Sequence, residues 1–240
     1  MLVLRRDATE QPTGAALVAQ DNPSARGLVF DFCASESCVR NSVIAAVASP
    51  LGTGVTFDTG KYGKQLTFNG SQGLGSCSFG TQSWLLGATE ATWEILFYLP
   101  NANSTGTLMA QWDGGNQNWL VSLSAGKFIW VAADDAGSGR SRFDSTNADL
   151  SAAGWYHAVL SWRGGSTAEV LLNGLSRAMT TVSSSATGIT GTMDNWCLGN
   201  RAVTGSDPVT ASIVFARAWR RGLARAEMDA RAANLWSMYE

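Results

Sequence analysis

One histidine, nineteen acidic residues and four cysteines make up the chain's imidazole, carboxylate and thiol chemistry. His157 lies in "GWYHAVLSW", between aromatics and ahead of an apolar run. A nucleophilic triad needs a base beside a Ser or Cys, and a third group to orient that base. His157 instead alternates with Trp155 and Val159 along an extended run, with no Gly-x-Ser-x-Gly turn nearby. A zinc site would have to recruit dispersed ligands, because Cys33, Cys38, Cys77 and Cys197 form no C-x-x-C pair. The spacing predicts a packed histidine whose ring nitrogen meets a buried partner, with Trp155 and Trp162 as structural neighbours.

The carboxylates are tested in the same way. Retaining glycosidases hold two carboxyl groups about 5–5.5 Å apart. On one strand face, positions i and i+2 are about 6.6 Å apart and positions i and i+4 about 13 Å. Asp134 and Asp135 are adjacent and would point to opposite faces, while Glu90 and Glu94 are too far apart. Glu227 and Asp229 have the right spacing but fall in a predicted helix. No strand carries a Glu-x-Asp-x-(x)-Glu pattern, so the expectation is a protein without catalytic residues. A pair assembled from separate strands is the route to hydrolysis left open.

Sugar recognition combines an aromatic platform with planar polar side chains, often on turns. "QWDGGNQNW" supplies Trp112, Asp113, Asn116, Asn118 and Trp119, and "AADDAGSGRSR" supplies Asp134, Asp135 and Arg140. These eight residues are the candidate glycan site. The competing reading is two soluble hairpin turns, where Asp, Asn and Gly are the residues turns require. Calcium needs several oxygen ligands. Asp113, Asp134, Asp135 or Asp194 have the chemistry for it, but no D-x-[DN]-x-[DN]-G loop is present. No metal or other cofactor is therefore expected, with calcium as the alternative.

The elements that must position these residues are short. "ATWEILFYLP" puts Trp93, Ile95, Phe97 and Leu99 on one face and Thr92, Glu94, Leu96 and Tyr98 on the other. "GTLMAQW", "NWLVSLS", "KFIWVAA", "GWYHAVLSW", "AEVLLNGLSRAM", "WCLGNR" and "ASIVFARAW" repeat that length between turn-rich breaks. The pattern predicts an all-β protein, an antiparallel β-sandwich of jelly-roll type, as one domain over residues 28–240. Near the end, Met228, Ala232, Leu235, Trp236 and Tyr239 share one helical face, which predicts a short C-terminal helix over 224–238. Residues 1–27 show neither period and read as an extended N-terminal arm.

Net charge is -2, which gives no electrostatic footprint for nucleic acid. No run reaches the roughly 18 apolar residues of a spanning helix, so membrane insertion is not expected. The start, "MLVLRRDATEQ", lacks the apolar stretch of a secretory signal. That start predicts no export by the general secretory route, with reduced thiols as the default.

Several segments resemble a known family. "GWYHAVLSWRGGSTAEVLLNG" resembles the signature hairpin of laminin-G-like, concanavalin A-like domains: Trp, one residue, His, an apolar strand, a polar turn, then a strand ending in Asn-Gly. "GKYGKQLTFNGSQGL", "WCLGNR" and "ASIVFARAWRRGLARAEMDARAANLW" are similar to that family's early strand pair, its Gly-Asn strand and its closing strand and helix. The resemblance covers about residues 28–240 and implies the sandwich fold, with a structural role at His157. It leaves function open, because this sandwich carries lectins, adhesion modules, glycosidases and structural proteins.

The lead-in "QPTGAALVAQDNPSARGLVFDF" is similar to that of laminin-G-like proteins encoded by tailed bacteriophages. This resemblance implies a non-enzymatic virion surface protein: a capsid decoration or cement protein, a head fibre or a tail-associated module. Its partners would be the capsid or other virion proteins, with multiple copies or a homo-oligomer on the assembly. Docking would run through the arm (Leu2, Leu4, Arg5, Arg6, Leu17 and Val18) and through Arg217, Arg220 and Arg221. The alternative is a carbohydrate-binding adhesion module, compatible with a virion position if the glycan is on a cell surface. A glycoside hydrolase comes third.

Overall fold

Apolar residues at every second position, cut by Gly-, Asn- and Asp-rich turns, fold the described residues into fifteen strands and one α-helix. The computed structural model describes residues 23–34, 54–71, 77–113, 116–133, 139–165, 167–191, 195–201 and 207–236. The strands are β1 (Leu28–Cys33), β2 (Val55–Gly60), β3 (Gly63–Asn69), β4 (Cys77–Thr81), β5 (Ala91–Leu99), β6 (Gly106–Asp113), β7 (Asn116–Ser124), β8 (Lys127–Ala133), β9 (Arg140–Ser145), β10 (Gly154–Trp162), β11 (Ala168–Leu172), β12 (Leu175–Arg177), β13 (Met179–Ser184), β14 (Asn195–Leu198) and β15 (Thr210–Trp219). Helix α1 is Arg225–Ala233.

They form two sheets. The first runs β12-β11-β10-β5-β15-β3-β2, with β1 also paired to β15; the second runs β13-β9-β8-β7-β6-β14-β4. All pairings between these strands are antiparallel. Beside β5, strand β15 is shared on its other edge: Thr210–Ile213 pairs β3 and Phe215–Trp219 pairs β1. The all-β sandwich expected from the alternation is the observed architecture.

Tight turns set the register where the sequence supplies residues that tolerate positive φ. Asn173 and Gly174 (φ 51° and 74°) close the β11–β12 hairpin. Two consecutive positive φ values match the right-handed strand twist in two-residue hairpins.

The core between the sheets is aromatic. Trp84, Trp196, Trp119, Trp93, Trp130 and Trp162 follow one another with ring centroids 4.8, 4.5, 5.5, 5.2 and 5.3 Å apart. Such offset and tilted pairs contribute beyond the area they bury.

β5 and β15 are buried on both faces, so a third layer must cover the first sheet. It is α1 and the residues after it. Met228 packs with Leu28, Val159, Leu171, Trp219 and Leu223, and Trp236 packs with Cys33, Leu96, Val214 and Phe215. The helix is shorter than the period predicts. Asn234 adopts an extended φ of -141° while its N–H bonds Ala230 O, so Leu235 and Trp236 reach the sheet from a turn. Tyr239 lies outside the described residues.

Candidate functional site

Each outer face of the sandwich carries a charged constellation, and they differ in what closes them. On the first sheet, Asp31, Arg217, Glu94 and His157 come from the adjacent strands β1, β15, β5 and β10. Their neighbours in sequence (Phe30, Phe32, Trp93, Ile95, Ala216, Ala218, Tyr156 and Ala158) all point into the core, so strand alternation turns the four outward. Arg217 Nε donates to Asp31 Oδ1 at 3.0 Å and its Nη1 donates to Glu94 Oε2 at 3.0 Å. Glu94 Oε1 is 2.9 Å from His157 Nε2.

The row is sealed. Asp31, Glu94 and Arg217 are fully buried, and Arg217 Nη1 also donates to Leu235 O at 3.1 Å. Burial alone would raise the Glu94 carboxyl. The Arg217 charge, the His157 hydrogen bond and the charges of His157 and Arg231 outweigh it and hold the group at about 2. An ionised carboxylate locked to a guanidinium under a helix is a poor general acid. The arrangement fastens the third layer to the sheet.

The second sheet's outer face is different. Its central row runs Arg142, Val131, Leu120, Ala110, Cys197 and Ser78 across β9, β8, β7, β6, β14 and β4. Ala110, Trp112, Leu120, Ile129 and Val131 form an apolar cluster there. Beside it lies a groove of about 280 Å³, lined by Leu120, Ser122, Ile129, Val131, Arg140, Arg142 and Asp207 among others. That volume is at the small end for ligand pockets, which run from about 300 Å³ upward.

The groove's charges are unevenly matched. Arg142 holds Asp144 with two hydrogen bonds of 2.8 Å, which raise its pKa. Thr107 Oγ1 donates to Asp207 Oδ2 at 2.9 Å. The Arg140 guanidinium sits 5.6 Å from the Trp112 ring, a cation–π contact, and has no hydrogen-bond or carboxylate partner among the described residues. Burial and then the nearby Arg142 lower its pKa, against a smaller opposing effect of Asp144.

A larger cavity, about 420 Å³, opens at the side of the sandwich between Phe143, Met179, Ser161, Arg163 and Glu169. Its polar groups are partly committed: Ser161 Oγ and Arg163 Nη2 both donate to Leu223 O, at 3.1 and 2.8 Å.

The structure redistributes the sequence candidates. Trp112 and Arg140 come together as the turn reading expects. Trp119 does not join them: it is fully buried in the interior against Trp93 and Trp196. The reason is register. Gln111 lies opposite Trp119 and the pairing then slips to Trp112 opposite Gln117, so the two indoles leave opposite faces. Asn118 is buried at 1% exposure and is not a rim group. Asp134, Asp135 and Asp194, and the side chains of Asp113 and Asn116, lie outside the described residues.

Among the proposed docking arginines, Arg217 is corrected to a buried structural group. Arg221 is taken up by Glu227, in hydrogen bonds of 2.9 and 2.7 Å, and by Arg26 O at 2.7 Å. Arg220 is exposed. Leu2, Leu4, Arg5, Arg6, Leu17 and Val18 lie outside the described residues. Of the structural trio, Trp162 is in the core, Trp155 packs against Tyr62 and Tyr98, and His157 faces Glu94. No group of three or more metal-ligating side chains occurs among the described residues, and no helix there is long and apolar enough to cross a membrane.

A two-sheet antiparallel sandwich with one outer face sealed by a helix and the other grooved defines a β-sandwich of lectin-like architecture. The family model described as "Concanavalin A-like lectin/glucanases superfamily", of laminin-G type, matches residues 69–228, and the chain belongs to that family. A search of curated proteins finds no match. Among solved structures, the chain is similar to the binding domain of Paraclostridial Mosquitocidal Protein 1, at 16% identity and a TM-score of 0.69, over 87% of this chain and 52% of that one. It is also similar to the botulinum neurotoxin serotype D ligand binding domain, solved in complex with N-acetylneuraminic acid, at 10% identity and a TM-score of 0.64, over 86% and 50%. The receptor binding domain of botulinum neurotoxin D gives 11% identity and 0.65 over 88% and 54%. At these identities the likeness establishes the fold, and the chain spans about half the length of each.

Proposed function

We propose that the chain is a non-catalytic carbohydrate-binding module whose ligand face is the outer face of the second sheet. The observation that carries this reading is the groove beside Trp112 and Arg140: an apolar floor of Leu120, Ile129 and Val131 under a rim of Ser122, Arg142 and Asp207. A sugar ring presents an apolar C–H face and a polar edge, and that floor and rim complement both. The similar structures are themselves binding domains, one of them solved with a sugar acid, which supports the same reading. The test is a glycan array probed with the full chain and with Ser124→Trp. Ser124 is an exposed groove residue, and an indole there would fill the entrance without touching the core. Retention of a glycan by the wild type and its loss in Ser124→Trp is expected; equal retention by both would place binding elsewhere.

The location of such a module rests on the resemblance of "QPTGAALVAQDNPSARGLVFDF" to phage-encoded lead-ins. On that ground we propose a virion surface protein held by its arm, with exposed Arg220 available to an acidic partner. Repeated copies would raise a weak glycan affinity by avidity. Co-sedimentation with undecorated capsids by the full chain, but not by a chain lacking residues 1–20, checks the arm. Failure of both chains to co-sediment would overturn capsid docking.

A further inference from the structure

The groove's ligand carries a negative charge, we infer, and that charge is a carboxylate on the sugar held by Arg140. This deepens the carbohydrate reading and rests on it. The inference starts from an imbalance. A half-buried arginine in a folded protein is normally met by an acid or by several acceptors, since leaving a buried polar group unpaired costs about 1–3 kcal/mol, and more when it is charged. Arg142, two residues away on the same face of β9, follows that rule with Asp144 at 2.8 Å on two bonds. Arg140 does not. Its Nε is shut off from solvent without an acceptor, and no carboxylate among the described residues pairs with it.

The side chain is nevertheless placed. The Trp112 ring lies 5.6 Å from the guanidinium carbon, so the cation is oriented by an aromatic face and, among the described residues, by no hydrogen-bonded carboxylate. Arg140 lines the groove together with Arg142, whose like charge disfavours it there. Among the described residues the rim keeps two arginines and pairs one of them with an acid, which presents a fixed positive site at the other. An arginine's planar fork binds a carboxylate through two parallel hydrogen bonds, and a pre-oriented fork loses less entropy on doing so.

Asp207, held by buried Thr107 at 2.9 Å, lines the groove at its β6 side, across the sheet from β9. That polarity fixes which way an acidic sugar lies: carboxylate toward β9, hydroxyls toward Asp207. A neutral sugar offers Arg140 hydroxyl acceptors but no counter-charge, and so the weaker hydrogen bond.

The experiment compares paired probes by titration calorimetry with the full chain: methyl glucuronide against methyl glucoside, and N-acetylneuraminic acid against its methyl ester. The same titrations are run on Arg140→Gln, Arg140→Lys and Arg142→Gln, each checked for an unchanged melting temperature. A charge-assisted hydrogen bond predicts about ten- to a hundredfold tighter binding of an acid than of its neutral partner. Added salt should narrow that gap, Arg140→Gln should abolish it, and Arg140→Lys should keep part of it. Arg142→Gln frees Asp144 beside the site and should weaken acid binding without erasing the preference.

Acid and neutral probes bound equally, with Arg140→Gln unchanged, would overturn the carboxylate inference and leave the carbohydrate reading standing. If neither the probes nor any arrayed glycan binds, both are overturned. Should Arg140→Gln fail to fold, the salt dependence of the wild-type acid preference decides: a preference unaffected by salt removes Arg140 as its source.

Discussion

Glu94→Gln isolates the charge row beneath the helix, because it removes one negative charge and keeps the side chain's shape. Glu94 is fully buried between Arg217 and His157, and its carboxyl is held at about 2 against an ordinary 4.5. At about 1.4 kcal/mol per pH unit, that gap corresponds to about 3 kcal/mol of folding stability. The folded-state pKa is depressed, so the contribution is fully present above pH 4.5 and is lost as the pH falls toward 2. About 2 kcal/mol of it should be gone by pH 3. Urea unfolding followed by tryptophan fluorescence at pH 7 and pH 3 measures it directly. Other carboxylates titrate in wild type and variant alike, so the difference between the two proteins reports Glu94. We expect the variant to be about 3 kcal/mol less stable at pH 7, a melting point lower by roughly 6–12 °C, and about 1 kcal/mol less stable at pH 3. A deficit equal at both pH values would mean that packing, not charge, was lost. A variant more stable than wild type would mean that desolvation exceeds the attraction, a known outcome for buried ion pairs.

Trp119→Ala should cost about 3–5 kcal/mol by opening a cavity between Trp93 and Trp196, measured by denaturant unfolding. Gly199→Ala should cost about 2 kcal/mol or more: its φ is +78° and an added methyl would fall 2.1 Å from the Phe68 ring, and the loss of melting temperature reads it. Glu227→Ala removes the acceptor for Ala224 N–H and the Arg221 pair, and on this accessible first turn about 1 kcal/mol or less is expected, seen as a small shift in urea midpoint. Cys33, Cys77 and Cys197 are buried thiols, and burial, then the neighbouring Cys197, pushes the Cys77 thiol up. All three should resist Ellman's reagent in the native protein and react after unfolding, in a time course that follows loss of tryptophan signal.

Strand periodicity carried most of the fold, and the exceptions have identifiable physical causes. Alternation in "ATWEILFYLP" assigns Trp93, Ile95, Phe97 and Leu99 to the core, and they lie there. What alternation does not show is that the opposite face is also covered. The clue is a lone charge at the centre of each of three apolar runs, Asp31 in "VFDFC", Glu94 in "TWEIL" and Arg217 in "FARAW". Strands whose charges face water usually carry several. One apiece signals partners across neighbouring strands, and β1, β15 and β5 bring them into register. Reading Arg217 with Arg220 and Arg221 as one basic patch missed this, because local charge density ignores strand parity. Trp112 and Trp119 look equivalent from the sequence, flanking one turn. A slip in pairing between Gln111 and Trp112 separates them, and such slips depend on contacts distant in sequence. The helix end was misjudged for a related reason: the period continues past Ala233, but Trp236 reaches its site against Phe215 from a turn.

The two outer faces together explain why binding is assigned to one of them. A sheet with charges on its outer face can bury them only if each is met, since an unpaired buried charge costs several kcal/mol. Under α1 the charges are paired in a chain: Arg217 holds both Asp31 and Glu94, and Glu94 faces His157, in a buried row between two apolar clusters. Arg217 also ties this row to the third layer through Leu235 O, and α1 with the residues after it covers the face. The second sheet has the same elements in a different balance. Its apolar centre is buried too, with Val131 and Trp112 nearly inaccessible, yet its rim keeps a groove and an arginine that no carboxylate among the described residues hydrogen-bonds. Among the described residues the acids and bases under α1 meet one another across neighbouring strands, whereas Arg140 meets an aromatic ring, and that difference is why the proposed ligand is placed in the groove.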